Sequence, residues 1–304
     1  MREYFLWLAK VITFIVLFCV GIPLILCITV GLSHKLQKGE VGAFDNKHQV
    51  AVVELTGVIE SSKDTLQALY EQADNKDVQG IVLRIDSPGG AVGPSQDIYN
   101  AVQDIKSRKP VVVSMGSLAA SGGLYSALSA SKIYCEPGTL TGSIGVIFQS
   151  PNFTKIADKV GFDMVTVKSG KLKDVGNPFR EMTPEDRDFL QATIGKVYED
   201  FLNAVVTSRK LDRNKVLEFA DGRVIVGSEA KKLGLVDDFG NVYTAARAVY
   251  DILGQPLPAG QLPKLFYPDE DKLGILKKAL ESVTSVFASF SPLHPQAELR
   301  YIMQ

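Results

Sequence analysis

Two short glycine-rich segments are where this chain could hold reacting atoms. Asp86-Ser87-Pro88-Gly89-Gly90 follows a β-branched run and precedes a helical pattern. Paired glycines there can turn backbone N–H groups toward a bound oxygen. Alone, the segment is also an ordinary tight turn, and it carries neither glycine pattern of a nucleotide-binding loop. Met115-Gly116-Ser117-Leu118-Ala119-Ala120-Ser121-Gly122-Gly123 follows an apolar strand and opens a helix. A serine in that place serves either as an N-cap or as a nucleophile. The small neighbours of Ser121 leave room for substrate, and the Gly122 N–H could share an oxyanion with the Gly89–Gly90 turn.

A nucleophilic serine needs a base. The three histidines, His34, His48 and His294, lie near the ends of the chain, so a histidine triad has almost no candidates. Cys135 as nucleophile lacks a partner for the same reason. Cys19 and Cys27 lie in the apolar N-terminal run, so neither a disulfide framework nor a thiolate metal site can be built in the rest. A lysine can act as base where burial lowers its pKa. Lys168-Ser169-Gly170-Lys171-Leu172-Lys173-Asp174 offers three, and spacing alone does not choose among them.

The elements that would position these residues alternate. Strands are predicted at 50–55, 80–85, 110–114, 132–135, 144–148, 164–168 and 224–226. Helical patterns cover 65–73, about 95–107, 121–131, 154–160, 183–209, 211–219, 228–233 and 241–253. Thr183-Pro184 reads as N-cap and first helical residue, and Gly234 as a helix stop. Such alternation argues for an α/β fold of parallel βαβ units with right-handed crossovers. Prolines 256, 258, 263 and 268 mark a linker, and Leu273, Leu276, Leu280, Val283 and Phe287 form one apolar helical face beyond it.

The chain has 304 residues and a formal net charge of −1, with 46% hydrophobic and 22% charged residues. That balance is globular, and the lack of a basic excess or stripe argues against nucleic-acid binding. Val11–Leu32 is free of charge and long enough to cross a hydrocarbon core, with no small-residue cleavage site after it. An uncleaved anchor is therefore expected. Arg2 and Lys10 before the span are matched by Lys35 and Lys38 after it, so charge does not choose a side. The expected division is 1–40 as membrane anchor, 41–255 as α/β domain, and 256–304 as linker and C-terminal amphipathic helix or tail.

In this order, five motifs resemble signal peptide peptidase A in its short, single-unit form. They are Ser87-Pro88-Gly89-Gly90, Ala119-Ala120-Ser121-Gly122-Gly123, Thr141-Gly142-Ser143-Ile144-Gly145-Val146, Ser169–Asp174, and Asp221-Gly222-Arg223-Val224 with Gly234-Leu235-Val236-Asp237. The resemblance covers roughly residues 48–250 and the N-terminal anchor. It implies a serine endopeptidase on a Clp-protease/crotonase-like fold, acting through a Ser-Lys dyad without cofactor or metal. By motif, Ser121 matches the nucleophile, Lys173 the general base and Ser143 the hydroxyl that orients the lysine. Gly122 and the Gly89–Gly90 turn match the oxyanion hole. Leu124-Tyr125 and Ile225 depart from the family pattern, which bears on substrate preference.

The resemblance further implies apolar peptide substrates, remnant signal peptides among them, at the outer side of the cell membrane. A ring or dome of identical copies is expected. An extended peptide is expected to add as a strand near Ile144–Gln149. Lys173 must work as a neutral amine, so Asp174 is expected to point away from it. Two rival readings are a crotonase-type acyl-thioester enzyme and a silent membrane scaffold. The first would share the glycine oxyanion hole but gives no reason for Ala-Ala-Ser-Gly-Gly or for an anchor.

Overall fold

A computed structural model describes residues 49–268 and 299–302. The β-branched runs pair as parallel strands: β1 (Gln49–Thr56), β2 (Val78–Ser87), β4 (Val111–Ala119) and β5 (Lys132–Cys135). Helix α1 (Lys63–Asp74) carries the chain from β1 to β2, and α2 (Val92–Ile105) from β2 to β4. Short strands β9 (Asp238–Phe239) and β10 (Leu265–Phe266) extend the sheet in parallel, giving the order β10-β1-β2-β4-β5-β9.

Side chains alternate across this sheet because successive residues of a strand face opposite ways. Val53, Leu55, Ile81, Leu83, Ile85 and Val113 face α1, α2 and the long helix α5 (Pro184–Arg209), which buries Phe201, Leu202 and Val205 there. Val50, Val52, Val82 and Val112 face α8 (Val242–Ile252) through Ala245, Ala246 and Val249. A sheet covered on both faces reads as near-continuous apolar runs, as β1, β2 and β4 do. Fully burying a side chain the size of Phe201 contributes about 1.5–3 kcal/mol. Helix α5 therefore sits on a fixed base.

Two smaller assemblies grow from the strand ends. Strand β6 (Leu140–Gly142) pairs beside the end of β4 and, antiparallel, with β8 (Val224–Val226). A second sheet sets β3 (Gly89–Ala91) and β7 (Ile147–Phe148) on either side of β11 (Leu299–Ile302), both antiparallel to it.

The expected α/β class and βαβ alternation hold, with three local corrections. The strand expected at 144–148 shrinks to β7, because Ser143 at φ 50° turns the chain first. The helix expected at 121–131 is α3 (Gly122–Ala127), with Ser121 outside it. Met164–Lys168 forms no ladder among the described residues, and Val165 and Val167 are 84% and 94% exposed. β-branched composition makes a strand only where a partner edge exists, and no described strand pairs with this segment. The expected anchor, the span 11–32, the three histidines and the 273–287 face lie outside the described residues. Among the described residues no helix is long and apolar enough to cross a membrane.

Candidate active site

Strands β2 and β4 end side by side, with Ser87 in register with Ala119. The Asp86 carboxylate accepts from the Leu118 N–H at 3.2 Å and the Ser117 N–H at 3.4 Å, which fastens the two ends together. Asp86 is thus a structural tie at the base of the first glycine segment. Its successor Ser87 accepts from the Ala120 N–H through its carbonyl at 3.1 Å. The turn of Gly89 and Gly90 therefore lies against the Ala120-Ser121 corner.

Ser121 occupies the corner between β4 and α3 at φ 53°, ψ −117°. A non-glycine residue there is held in a strained conformation, costing about 1–3 kcal/mol, which surrounding contacts must impose. They do. Its N–H donates to the Gly142 carbonyl at 2.9 Å, and its carbonyl accepts from Tyr125 N–H at 2.8 Å. The side chain makes no capping hydrogen bond to the helix. Ser121 is 1% exposed, and among the described residues its Oγ has no hydrogen-bond partner. Leaving a buried hydroxyl unpaired costs about 1–3 kcal/mol, and a catalytic role is one of the reasons a native structure retains such a group. Of the two readings open for this serine, the cap is removed.

Gly122 is the first residue of α3, where a backbone N–H has no acceptor inside the helix. A side chain at Gly123 would stand 2.9 Å from the Ser87 carbonyl oxygen, and one at Gly90 2.2 Å from the Ile59 carbonyl oxygen. Both glycines are there because backbones meet. Gly89 has φ 99° and donates its N–H to Ser87 Oγ at 3.1 Å, whereas Gly90 lies in β3 opposite Tyr301.

Ser143 joins the same corner. It follows Gly142 in a second left-handed turn, φ 75° then 50°, is buried, and donates its N–H to the Arg223 carbonyl at 2.8 Å. Thr141 Oγ1 donates to the Ala119 carbonyl at 2.6 Å, so β6 is sewn to the end of β4. The Asp221–Val224 motif supports this from behind, since Gly142 pairs with Val224 and Arg223 grips Asp221 at 2.6 Å. The structure thus unites Ser121, Gly122, Ser143 and the Gly89–Gly90 turn.

Lys173 is not bonded to this corner. It stands exposed on a single 3₁₀ turn, Lys171–Asp174, and makes no hydrogen bond to Ser121. Of its rivals, Lys168 is held by Asp174 at 2.5 Å, and Lys171 lies 4.0 Å from Glu185 with both largely in solvent. Asp174 is engaged by residues other than Lys173. Its oxygens accept from Arg180 Nε at 2.9 Å, Arg180 Nη2 at 3.0 Å and Lys168. Hydrogen bonds from Arg180 and then Lys168 hold its carboxyl well below the usual range, at about 2. Cys135 is buried and its thiol is pushed up to about 11, first by loss of solvent and then by Glu136, which suits packing and not nucleophilic attack.

Sequence reasoning missed two features. One is Arg180, whose signal was the capping box Thr183-x-x-Asp186 that it reaches into. The other is the backbone of β11 lying between β3 and β7, beside the expected peptide slot; nothing local in Leu299–Ile302 marks it.

The model of Peptidase family S49 matches residues 103–253, and that of Clp protease matches 47–137. The Synechocystis protein slr0021, named as a candidate protease, is 41% identical over 196 residues, 64% of this chain and 70% of that protein. An Enterococcus faecium protein named as a candidate signal peptide peptidase SppA is 36% identical over 58% of this chain and 51% of its own length. Protease 4 of Haemophilus influenzae is 33% identical over 68% of this chain and 35% of its own length. The chain thus spans 70% of the first of these relatives, about half of the second and about a third of the last. A ClpP1 mutant from Listeria monocytogenes superposes with a TM-score of 0.43 at 18% identity, over 64% of this chain and 94% of that one. The fold rests on the sheet topology and the family models, not on that superposition.

Proposed function

This chain belongs to peptidase family S49 and is a serine protease, and from that premise we propose the parts its residues play. Ser121 is the nucleophile, Lys173 the general base and Ser143 the hydroxyl that orients the lysine amine. Gly122 with the Gly89–Gly90 turn receives the oxyanion. The observation that carries the reading is the Ser121 hydroxyl: strained, buried, and bonded to nothing among the described residues.

The chemistry balances with these groups alone. A neutral Lys173 amine takes the Ser121 proton as Oγ bonds to the peptide carbonyl carbon. Charge developing on the carbonyl oxygen is met by backbone N–H groups fixed beforehand. The lysine then gives its proton to the leaving amine as the C–N bond breaks. A water molecule then attacks the ester carbon while the Lys173 amine takes one of its protons; as the bond from that carbon to Ser121 Oγ breaks, the lysine returns the proton to Oγ and the acid product leaves.

Within one chain the base stands in solvent while the nucleophile is buried and unbonded. We therefore place the lysine of a second copy against each serine, in the ring or dome of identical copies. The unpaired Met164–Lys168 segment supports this, since an exposed β-branched edge offers a ladder to another copy. Substrate is an extended apolar peptide entering as a strand along β3 and β7, where β11 now lies. A groove of about 590 Å³ beside β7, lined by apolar Phe148, Met182, Leu190 and Ile194 together with polar Arg187 and Gln191, offers room for its side chains. An anchor at 11–32 would hold the domain at the outer membrane surface, where remnant signal peptides are released; the name of the Enterococcus relative agrees. The test is Ser121→Ala. Turnover of an apolar fluorogenic peptide should vanish with melting unchanged, and retained turnover removes Ser121 from the mechanism.

A further inference from the structure

We propose that Arg180 is a positioning residue for the Lys173 base: it fastens the turn that carries Lys173 to helix α5 and keeps the Asp174 carboxylate occupied and away from the amine. This rests on the reading of Lys173 given above.

Every guanidinium nitrogen of Arg180 is engaged. Nε and Nη2 take the two oxygens of Asp174 at 2.9 and 3.0 Å, and Nη2 also reaches the Asp174 backbone carbonyl at 3.1 Å. Nη1 donates to Asp186 Oδ2 and, at 3.0 Å, to the Glu181 carbonyl; Nη2 reaches Asp186 Oδ1 at 3.0 Å. The Asp186 side chain is 3% exposed and is also bound by the Thr183 N–H at 3.0 Å, in the capping box that starts α5. One planar fork thus bridges two carboxylates, one on the lysine turn and one inside the helix start. A lysine ammonium, a point charge, cannot hold that geometry.

Helix α5 is also the reference for the nucleophile. Its Phe201 meets Tyr125 of α3 edge-on at 5.0 Å between ring centres, four residues after Ser121. Both halves of the dyad are therefore registered on α5 in every copy, and Arg180 is the link on the lysine side.

The second consequence is electrostatic. A free carboxylate next to Lys173 would favour the ammonium form and remove the base at neutral pH. The charged groups around the turn are Lys168, Lys171, Arg180, Glu181, Glu185 and Asp186. Of these, Arg180 and Lys168 meet Asp174, and Lys171 faces Glu185. Deleting the Arg180 charge leaves the cluster one unit more negative beside Lys173.

The experiment is a kcat and kcat/KM pH profile of the full chain on one apolar fluorogenic peptide, for Arg180→Gln, Asp174→Asn and the double variant, with Lys173→Ala alongside. Arg180→Gln should lower kcat about tenfold with little change in KM, as expected for a slightly misplaced base. Its acid limb should move up by about one pH unit, the size expected when a neighbouring charge is uncovered. The double variant should bring the limb back to the parent value while kcat stays low, and Asp174→Asn alone should move the limb down, because Arg180 and Lys168 then leave the cluster one unit more positive. A limb for Arg180→Gln that coincides with the parent, or one that stays shifted in the double variant, overturns the proposal. If Lys173→Ala keeps its activity, the fault lies in the base assignment and not in Arg180. Should the unpaired Asp186 unfold Arg180→Gln, both Arg180 variants are made with Asp186→Asn and compared with Asp186→Asn alone, by the same two criteria.

Discussion

The Ser121 amide donates to the Gly142 carbonyl at 2.9 Å, joining two corners that each carry a serine in the left-handed region, Ser121 at φ 53° and Ser143 at φ 50°. Neither conformation is one a serine adopts freely. The bond lets each corner hold the other.

Lys173 is exposed and the Ser121 hydroxyl has no partner among the described residues, so the proposal of a dyad shared between copies predicts that two inactive variants should complement each other. Ser121→Ala and Lys173→Ala, unfolded or dissociated together and reassembled at equal amounts, should recover about a quarter of parental sites, half the serines being intact and half their neighbours supplying the lysine. Peptide turnover measured before and after mixing checks this. Zero recovery in a verified mixed assembly would place both residues of each dyad in one chain.

Strand β11 lies between β3 and β7, along the path proposed for the peptide. Removing residues 296–304 should therefore lower KM for an extended apolar peptide several-fold with kcat unchanged, since only a competing strand is lost. Steady-state kinetics of the truncated chain decide it. An unchanged KM means that peptide binds elsewhere.

The acid behaviour of the lysine turn follows from its carboxylates. Asp174 is lowered to about 2 in the folded chain, and Asp186 also lies below its ordinary value through Arg180 and the Thr183 backbone. Depressed carboxylates contribute stability above their unfolded pKa, about 4, and lose it as pH falls through the folded value. Pepsin cleavage within 163–181 should accordingly appear between pH 4 and 2, ahead of cleavage in the β1, β2 and β4 core. Constant cleavage across that range would show that the Arg180 network does not secure the turn.

Much of this was readable from the residues, in a pattern with physical causes. The alternation of apolar runs fixed β1, β2, β4 and β5 because each is buried on both faces. Thr183-Pro184 fixed the start of α5 because a cap is a local device. The glycine segments located the Ser121 corner. What escaped depends on distant partners. Met164–Lys168 has strand composition, yet β propensity is realised only against a neighbouring edge. The pairing of β11 joins residues far apart in the chain, Tyr301 with Gly90 and Leu299 with Phe148. The grip of Arg180 on Asp174 and Asp186 needs two loops folded together before any spacing reveals it. Lys173 was chosen by motif alone, and within the single chain it is exposed and makes no hydrogen bond to Ser121.

The most direct measurement is covalent. A serine-directed fluorophosphonate applied to the full chain, followed by peptide mass spectrometry, should place one adduct on Ser121. The adduct should be absent in Ser121→Ala and form at least a hundredfold more slowly in Lys173→Ala, because general-base assistance contributes about 10²–10⁴. An unmodified Ser121 in an assembly that still cleaves peptide, or labelling of Lys173→Ala at the parental rate, would contradict the account.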